Sequence, residues 1–85
     1  MKTLLTEQET QILIEVGIEL NPLLRVFDLG TLIEELDEML DGYHYEFVRH
    51  YNGWEVTGDM ALTYKRCPEL INAIAGTIYI HKKAN

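Results

Sequence analysis

Three stretches of the chain space their apolar residues as helices do, and one stretch alternates them. In LTEQETQILIEVG, Thr6 is followed three residues later by Glu9, the capping-box pattern of a helix start. Gly17 stands where such a helix would stop, and Leu13 and Val16 supply helical spacing between the two. Residues 12–20 also fit a strand, because Ile12, Ile14, Val16, Ile18 and Leu20 alternate strictly. The cap at one end and the glycine at the other favour a helix over Glu7 to Val16. Asn21-Pro22 breaks whatever precedes it, so NPLLRVFDLG reads as a connector. TLIEELDEMLDG has the clearest helical period: Leu32, Ile33, Leu36, Met39 and Leu40 make one apolar stripe, Thr31 is the candidate cap and Gly42 follows the end. Glu34, Glu38 and Asp41 run down another face, with Glu35 and Asp37 beside them. Near the end of the sequence, CPELINAIAGTIYIHKK places Pro68 at a first helical position and Lys82 and Lys83 where a helix C-terminus favours cations. Gly76 and the β-branched TIYI weaken the second half and leave 77–82 open between helix and strand. One helix over Pro68 to His81 is the preferred reading.

Between the second and third helices lies HYEFVRHYNGWEV, where the period changes to two. Asn52-Gly53 is a strong hairpin signal, because both residues tolerate the positive φ of a tight turn. A two-residue loop there predicts Tyr51 opposite Trp54, His50 opposite Glu55, Arg49 opposite Val56 and Val48 opposite Thr57. Alternation then sorts Tyr45, Phe47, Arg49, Tyr51, Trp54 and Val56 onto one face, and His44, Glu46, Val48, His50, Glu55 and Thr57 onto the other. A third strand over roughly Ala61 to Lys65 can follow, with Leu62 and Tyr64 on the dry face. The expected fold class is α+β: an antiparallel β-hairpin or three-stranded sheet with helices packed on one face, forming a single domain over residues 1–85.

Charge narrows the classes of partner. Fourteen acids against seven bases give a formal charge of −7, which disfavours direct nucleic-acid binding through phosphate contacts and favours a basic protein partner. One cysteine, Cys67, cannot form an internal disulfide, and the opening MKTLLTEQET has no apolar signal region, so a cytoplasmic location is expected. No apolar run reaches the length of a membrane span, so no membrane partner is expected.

The order of a first helix, the FDLGTLIEEL helix, an aromatic hairpin carrying GWEV and then CPELINAIAGTIYI resembles small proteins of phages and mobile elements of gut bacteria. The resemblance covers nearly the whole chain and is architectural. It implies a context of origin, since that group has no established activity.

Candidate chemistry is sparse. His44, Glu46, His50 and Glu55 project from the wet face of the hairpin, but His44 and His50 lie about 20 Å apart along a strand and cannot share one ion. The sequence has no phosphate-cradling glycine loop and no nucleophile motif, so no catalytic residue, metal ligand or cofactor is assigned. Cys67, just before a helix start, is either a reactive thiol of lowered pKa or a small packed residue. Arg49, Tyr51 and Trp54 gather at the hairpin tip and are residue types that dominate interface hot spots. Together with the acidic residues Glu34, Glu38 and Asp41 they are the candidate partner-binding set. The expectation is a non-enzymatic protein-binding module, encoded by a phage or mobile element, that engages a host protein through the acidic helix or the aromatic tip. The alternatives are a small metal-dependent hydrolase using the wet-face His and Glu, or a structural homo-oligomer with no foreign ligand.

Overall fold

The computed structural model of the chain describes residues 1–59 and 64–84. Its elements follow in the order α1 (Glu7–Glu15), α2 (Leu29–Leu40), β1 (Tyr45–His50), β2 (Gly53–Gly58) and α3 (Leu70–Ala84). The architecture is α+β, with helix α3 packed against an antiparallel hairpin.

The first helix starts as its sequence predicts. The Thr6 hydroxyl accepts from the Glu9 N–H at 3.1 Å, and the Glu9 carboxylate accepts from the Thr6 N–H at 2.8 Å. It stops at Val16, after which Gly17 takes a φ of 98°. Residues 12–20 are thus helical to Glu15 and irregular beyond it. The alternating pattern does not mark a strand, since Ile12 and Ile14 are exposed while Leu13 and Ile18 are buried.

The second helix begins earlier than Thr31. Asp28 is its N-cap, and Asp28 Oδ1 accepts from the Thr31 N–H at 2.7 Å. A carboxylate is the stronger acceptor and complements the positive end of the helix dipole. The N-terminal segment fixes that start: the Leu5 N–H donates to the Phe27 carbonyl, and the Leu29 N–H to that of Thr3. Leu32, Leu36 and Leu40 form the buried stripe, and Asp41 (φ 39°) and Gly42 (φ 85°) end the helix in left-handed conformations.

The third helix runs unbroken through 77–82. Ile71, Ala73, Ile74, Thr77 and Ile78 are all buried, so packing overrides the weak propensity of its β-branched residues. The Thr77 hydroxyl donates back to the Ala73 carbonyl at 2.9 Å. Gly76 has a packing reason: a Cβ there would lie 2.2 Å from the Tyr64 ring, so the glycine is the seat for that ring. Pro68 lies outside the helix, in a bend that leads from Cys67 to Leu70.

The hairpin pairs in a register two residues away from the predicted one. Arg49 lies opposite Trp54, Phe47 opposite Val56, Val48 opposite Glu55 and His50 opposite Gly53, leaving Tyr51-Asn52 as the loop. A shift of two keeps every strand residue on its predicted face. Its cause lies at Gly53, where a Cβ would stand 2.6 Å from the Cys67 carbonyl oxygen. The glycine admits a neighbouring backbone, and its φ of 139° closes the turn as well. Through that approach the Trp54 N–H donates to the Cys67 carbonyl at 2.7 Å, and the Cys67 N–H to that of Trp54 at 3.0 Å. The predicted third strand falls mainly on 61–63, outside the described residues. Residues 64–66 carry no strand, and among the described residues β2 pairs beyond β1 through one bridge, at Cys67.

Helix α3 packs on both α2 and β2, and α1 leans on α3. Strand β1 is therefore the outer strand, which explains why Phe47 and Tyr45 are half-buried while Val56 on β2 is buried.

Candidate functional site

The six candidate partner-binding residues occupy two separate surfaces. At the tip, Tyr51 sits in the loop with its side chain outward and is 99% exposed. Arg49 is also exposed, with its guanidinium carbon 5.6 Å from the centre of the Trp54 ring, a cation–π arrangement. Trp54 itself is half-buried against the core and held at its backbone by Cys67, so it supports the tip more than it projects from it. A shallow hollow of about 300 Å³ lies here, lined by Arg49, Tyr51, Trp54 and Pro68 among others.

Arg66 joins this tip, which sequence reasoning missed. Its Nη1 donates to Asn52 Oδ1 at 3.0 Å. The basic pair Lys65-Arg66 is plain in the sequence, but only the Trp54–Cys67 bridge brings it beside the loop. The tip thus gathers cations on a chain whose net charge is −7.

The acidic surface lies at the other end of the hairpin. Glu34 and Glu38 on α2 and Asp41 at its C-cap are exposed, and among the described residues no cation lies within ion-pair distance of them. Asp37 accepts a hydrogen bond from the Tyr45 hydroxyl, which anchors the C-terminal half of α2 beside the start of β1. Burial, and then that carboxylate, push the Tyr45 hydroxyl up to about 12. From Tyr45 to the tip at His50 the strand covers roughly 17 Å. One molecule therefore keeps its acidic face and its cationic tip apart.

On the wet face, His50 Nε2 and Glu55 Oε1 are 2.8 Å apart. They meet diagonally rather than directly across the strands, a consequence of the shifted register. An imidazole–carboxylate pair can exchange a proton, but among the described residues no three His, Cys, Asp or Glu side chains converge as metal ligands. Cys67 is buried, with its thiol 3.6 Å from the Lys65 carbonyl oxygen. Burial pushes that thiol up against the weaker pull of Lys65, which opposes the lowered pKa a helix start suggested.

A groove of about 810 Å³ lies between α1 and α3, with Ile12, Val16, Ala75 and Tyr79 in its walls. One end is closed by a polar cluster. Glu9 accepts from Lys2 Nζ at 2.8 Å and from Asn72 Nδ2 at 2.6 Å, and Lys2 Nζ also donates to Asn72 Oδ1. Burial raises the Glu9 carboxyl, but the hydrogen bonds from Lys2, the Thr6 N–H and Asn72 outweigh it and hold it at about 2. This cluster ties the N-terminal segment to α1 and α3.

No helix among the described residues is long and apolar enough to cross a membrane. Comparison of the chain with protein-family models, curated proteins and solved structures finds no match.

Proposed function

We propose that the protein is a non-enzymatic binding module that engages a protein partner through the outward face of α2 and through the hairpin tip. One observation carries the reading. Glu34, Glu38 and Asp41 are placed against the interests of their own helix. Asp37, Glu38 and Asp41 cluster at its negative end, no base stands in its last turn, and Glu34 and Glu38 repel at i,i+4 spacing. Helix α3 obeys the dipole, with Lys82 and Lys83 in its last turn, and α1 obeys it at its start, with Glu7 and Glu9 in the first turn, though Glu15 stands at its end without a base. Charge that burdens the fold is explained by something outside it, and a basic protein surface is the complement. The tip adds an exposed tyrosine beside an arginine, a combination typical of interface anchors. An origin in a phage or mobile element, as the resemblance implies, fits a small module made to engage a host protein.

The test is affinity purification of the tagged chain, identification of the co-eluting protein, and surface-binding kinetics at two salt concentrations. Replacing Glu34, Glu38 and Asp41 together with glutamine is expected to slow association and flatten its salt dependence. Tyr51→Ala is expected to speed dissociation by roughly tenfold or more, the scale of an interface anchor. Kinetics indifferent to both changes overturn the reading.

A further inference from the structure

The tip and the acidic face are complementary to each other, and one molecule cannot bring them together. Arg49 and Arg66 flank the loop, one on the dry face over Trp54 and the other bonded to Asn52. Both are exposed, and neither has an acidic partner within ion-pair distance among the described residues. The nearby carboxylate of Glu55 is already engaged by His50. Tyr51 stands fully exposed at the apex. At the far end of the hairpin, tied to it by the Tyr45–Asp37 hydrogen bond, α2 presents Glu34, Glu38 and Asp41 without a cation.

From this juxtaposition we infer that the cationic tip of one copy docks on the acidic face of α2 of a second copy. The inference rests on the tip being a contact surface, as proposed above, and names its occupant. Arginine supplies the planar, multidentate donor that carboxylates favour, and the Tyr51 ring gives the contact apolar area. Each copy carries one tip and one face. Reciprocal docking closes as a two-fold dimer, and one-way docking continues as a chain. A hairpin tip against part of one helix face is a small contact, so association belongs in the weak range typical of small interfaces. Two copies of charge −7 also repel at long range, while the complementary charges attract locally.

The experiment uses the full chain and two charge-reversed forms, each checked for helix content by circular dichroism. The tip form carries Arg49→Glu and Arg66→Glu. The face form carries Glu34→Lys, Glu38→Lys and Asp41→Lys. Sedimentation equilibrium is run to about 1 mM, a concentration that reveals contacts of millimolar Kd. The unmodified chain is expected to gain mass with concentration. Either reversed form alone is expected to associate roughly tenfold or more weakly, as like-charge juxtaposition demands. An equimolar mixture of the two forms is expected to associate again, because the reversed tip meets the reversed face and the native tip meets the native face. The face form carries an internal control. Its net charge moves from −7 to −1, so long-range repulsion falls and any loss of association belongs to the local contact. An unmodified chain that stays monomeric overturns the inference, as does association that survives both reversals or a mixture that fails to re-associate. Failure of the tip as a contact surface is read separately, in the Tyr51→Ala kinetics with a co-purified partner.

Discussion

Helices α2 and α3 lie against each other and bury their apolar sides equally well, yet their polar sides are built on opposite terms. Leu32 and Leu36 on α2 are as inaccessible as Ile71 and Ile74 on α3. Helix α3 ends in Lys82 and Lys83, whose charges complement its dipole. The solvent side of α2 ends in Asp37, Glu38 and Asp41, which oppose it, and only the N-cap Asp28 sits at the favourable end. The lesson concerns where to look for function in a small fold. Residues that serve stability obey its rules, and a helix that breaks those rules on its exposed side alone is the first place to test for another role.

The buried sides should prove alike under mutation. Leu36→Ala and Ile74→Ala each empty a fully buried site, and each is expected to destabilise the fold by about 2–5 kcal/mol. Urea unfolding measures both. If Leu36→Ala proves nearly neutral while Ile74→Ala does not, α2 is an appendage and the comparison fails at its base.

Gly76 sharpens the contrast from the side of α3. On propensity alone, alanine at a helix interior gains about 1 kcal/mol over glycine. The seat for Tyr64 reverses that sign, since the new methyl would collide with the ring, and overpacking of this kind costs about 1–3 kcal/mol. Gly76→Ala is therefore expected to destabilise. In the background of Tyr64→Ala, where the ring is gone, the same change should turn neutral or stabilising. Additive effects of the two substitutions would mean that the ring does not rest on the glycine.

These particulars show which parts of the molecule were legible in the sequence. The capping box of α1 and the leucine stripe of α2 are local, so the residues that make them also announce them. The hairpin faces were legible too, because alternation survives a shift of two residues. Gly53 and Gly76 were only partly legible, for one shared reason. Each looks like a local signal, a turn residue or a helix breaker, and each answers a distant segment: the backbone at Cys67 and the ring of Tyr64. Arg66 at the tip was hidden in the same way. Of the candidate residues, the exposure of Arg49, Tyr51, Glu34, Glu38 and Asp41 was legible from their polar or loop positions, while Trp54 is drawn toward the core by packing that the sequence does not show.

Helix α1 places Glu9 at its favourable end, and the hydrogen bonds that hold its carboxylate make its contribution measurable by pH. Its carboxyl titrates at about 2 in the folded chain against 4.5 ordinarily. A lowered carboxylate stabilises the fold above its unfolded pKa, and the contribution disappears as pH falls from about 5 toward 2. Because Glu9 is partly exposed, screening reduces the effect to about 1 kcal/mol. The gap in stability between the unmodified chain and Glu9→Gln should be present at pH 7 and narrow through that window. A gap that is constant in pH would place the role of Glu9 in packing rather than charge.

The smallest expected effects decide the comparison most directly, because they carry opposite signs. Replacing Lys82 and Lys83 with glutamine removes cations from the favourable end of α3. A loss of about 0.3–1 kcal/mol is expected at low ionic strength. Replacing Glu34 and Glu38 with glutamine, and Asp41, which holds a φ of 39°, with asparagine, removes charges that repel one another and oppose the dipole of α2. A gain of about 0.5–1 kcal/mol is expected, because the like-charge pairs and the unfavourable end charges are relieved together. Glutamine keeps nearly the helix propensity of glutamate and asparagine tolerates the left-handed backbone at 41, so the gain cannot be ascribed to the backbone. Both effects should fade in molar salt, where the screening length falls to about 3 Å. Thermal unfolding of the two variants at low and high salt supplies the four numbers required. Equal signs would mean that α2 and α3 differ only in composition. Opposite signs at low salt, converging at high salt, would show that the acidic face is maintained at the expense of the fold, as a surface kept for a partner must be.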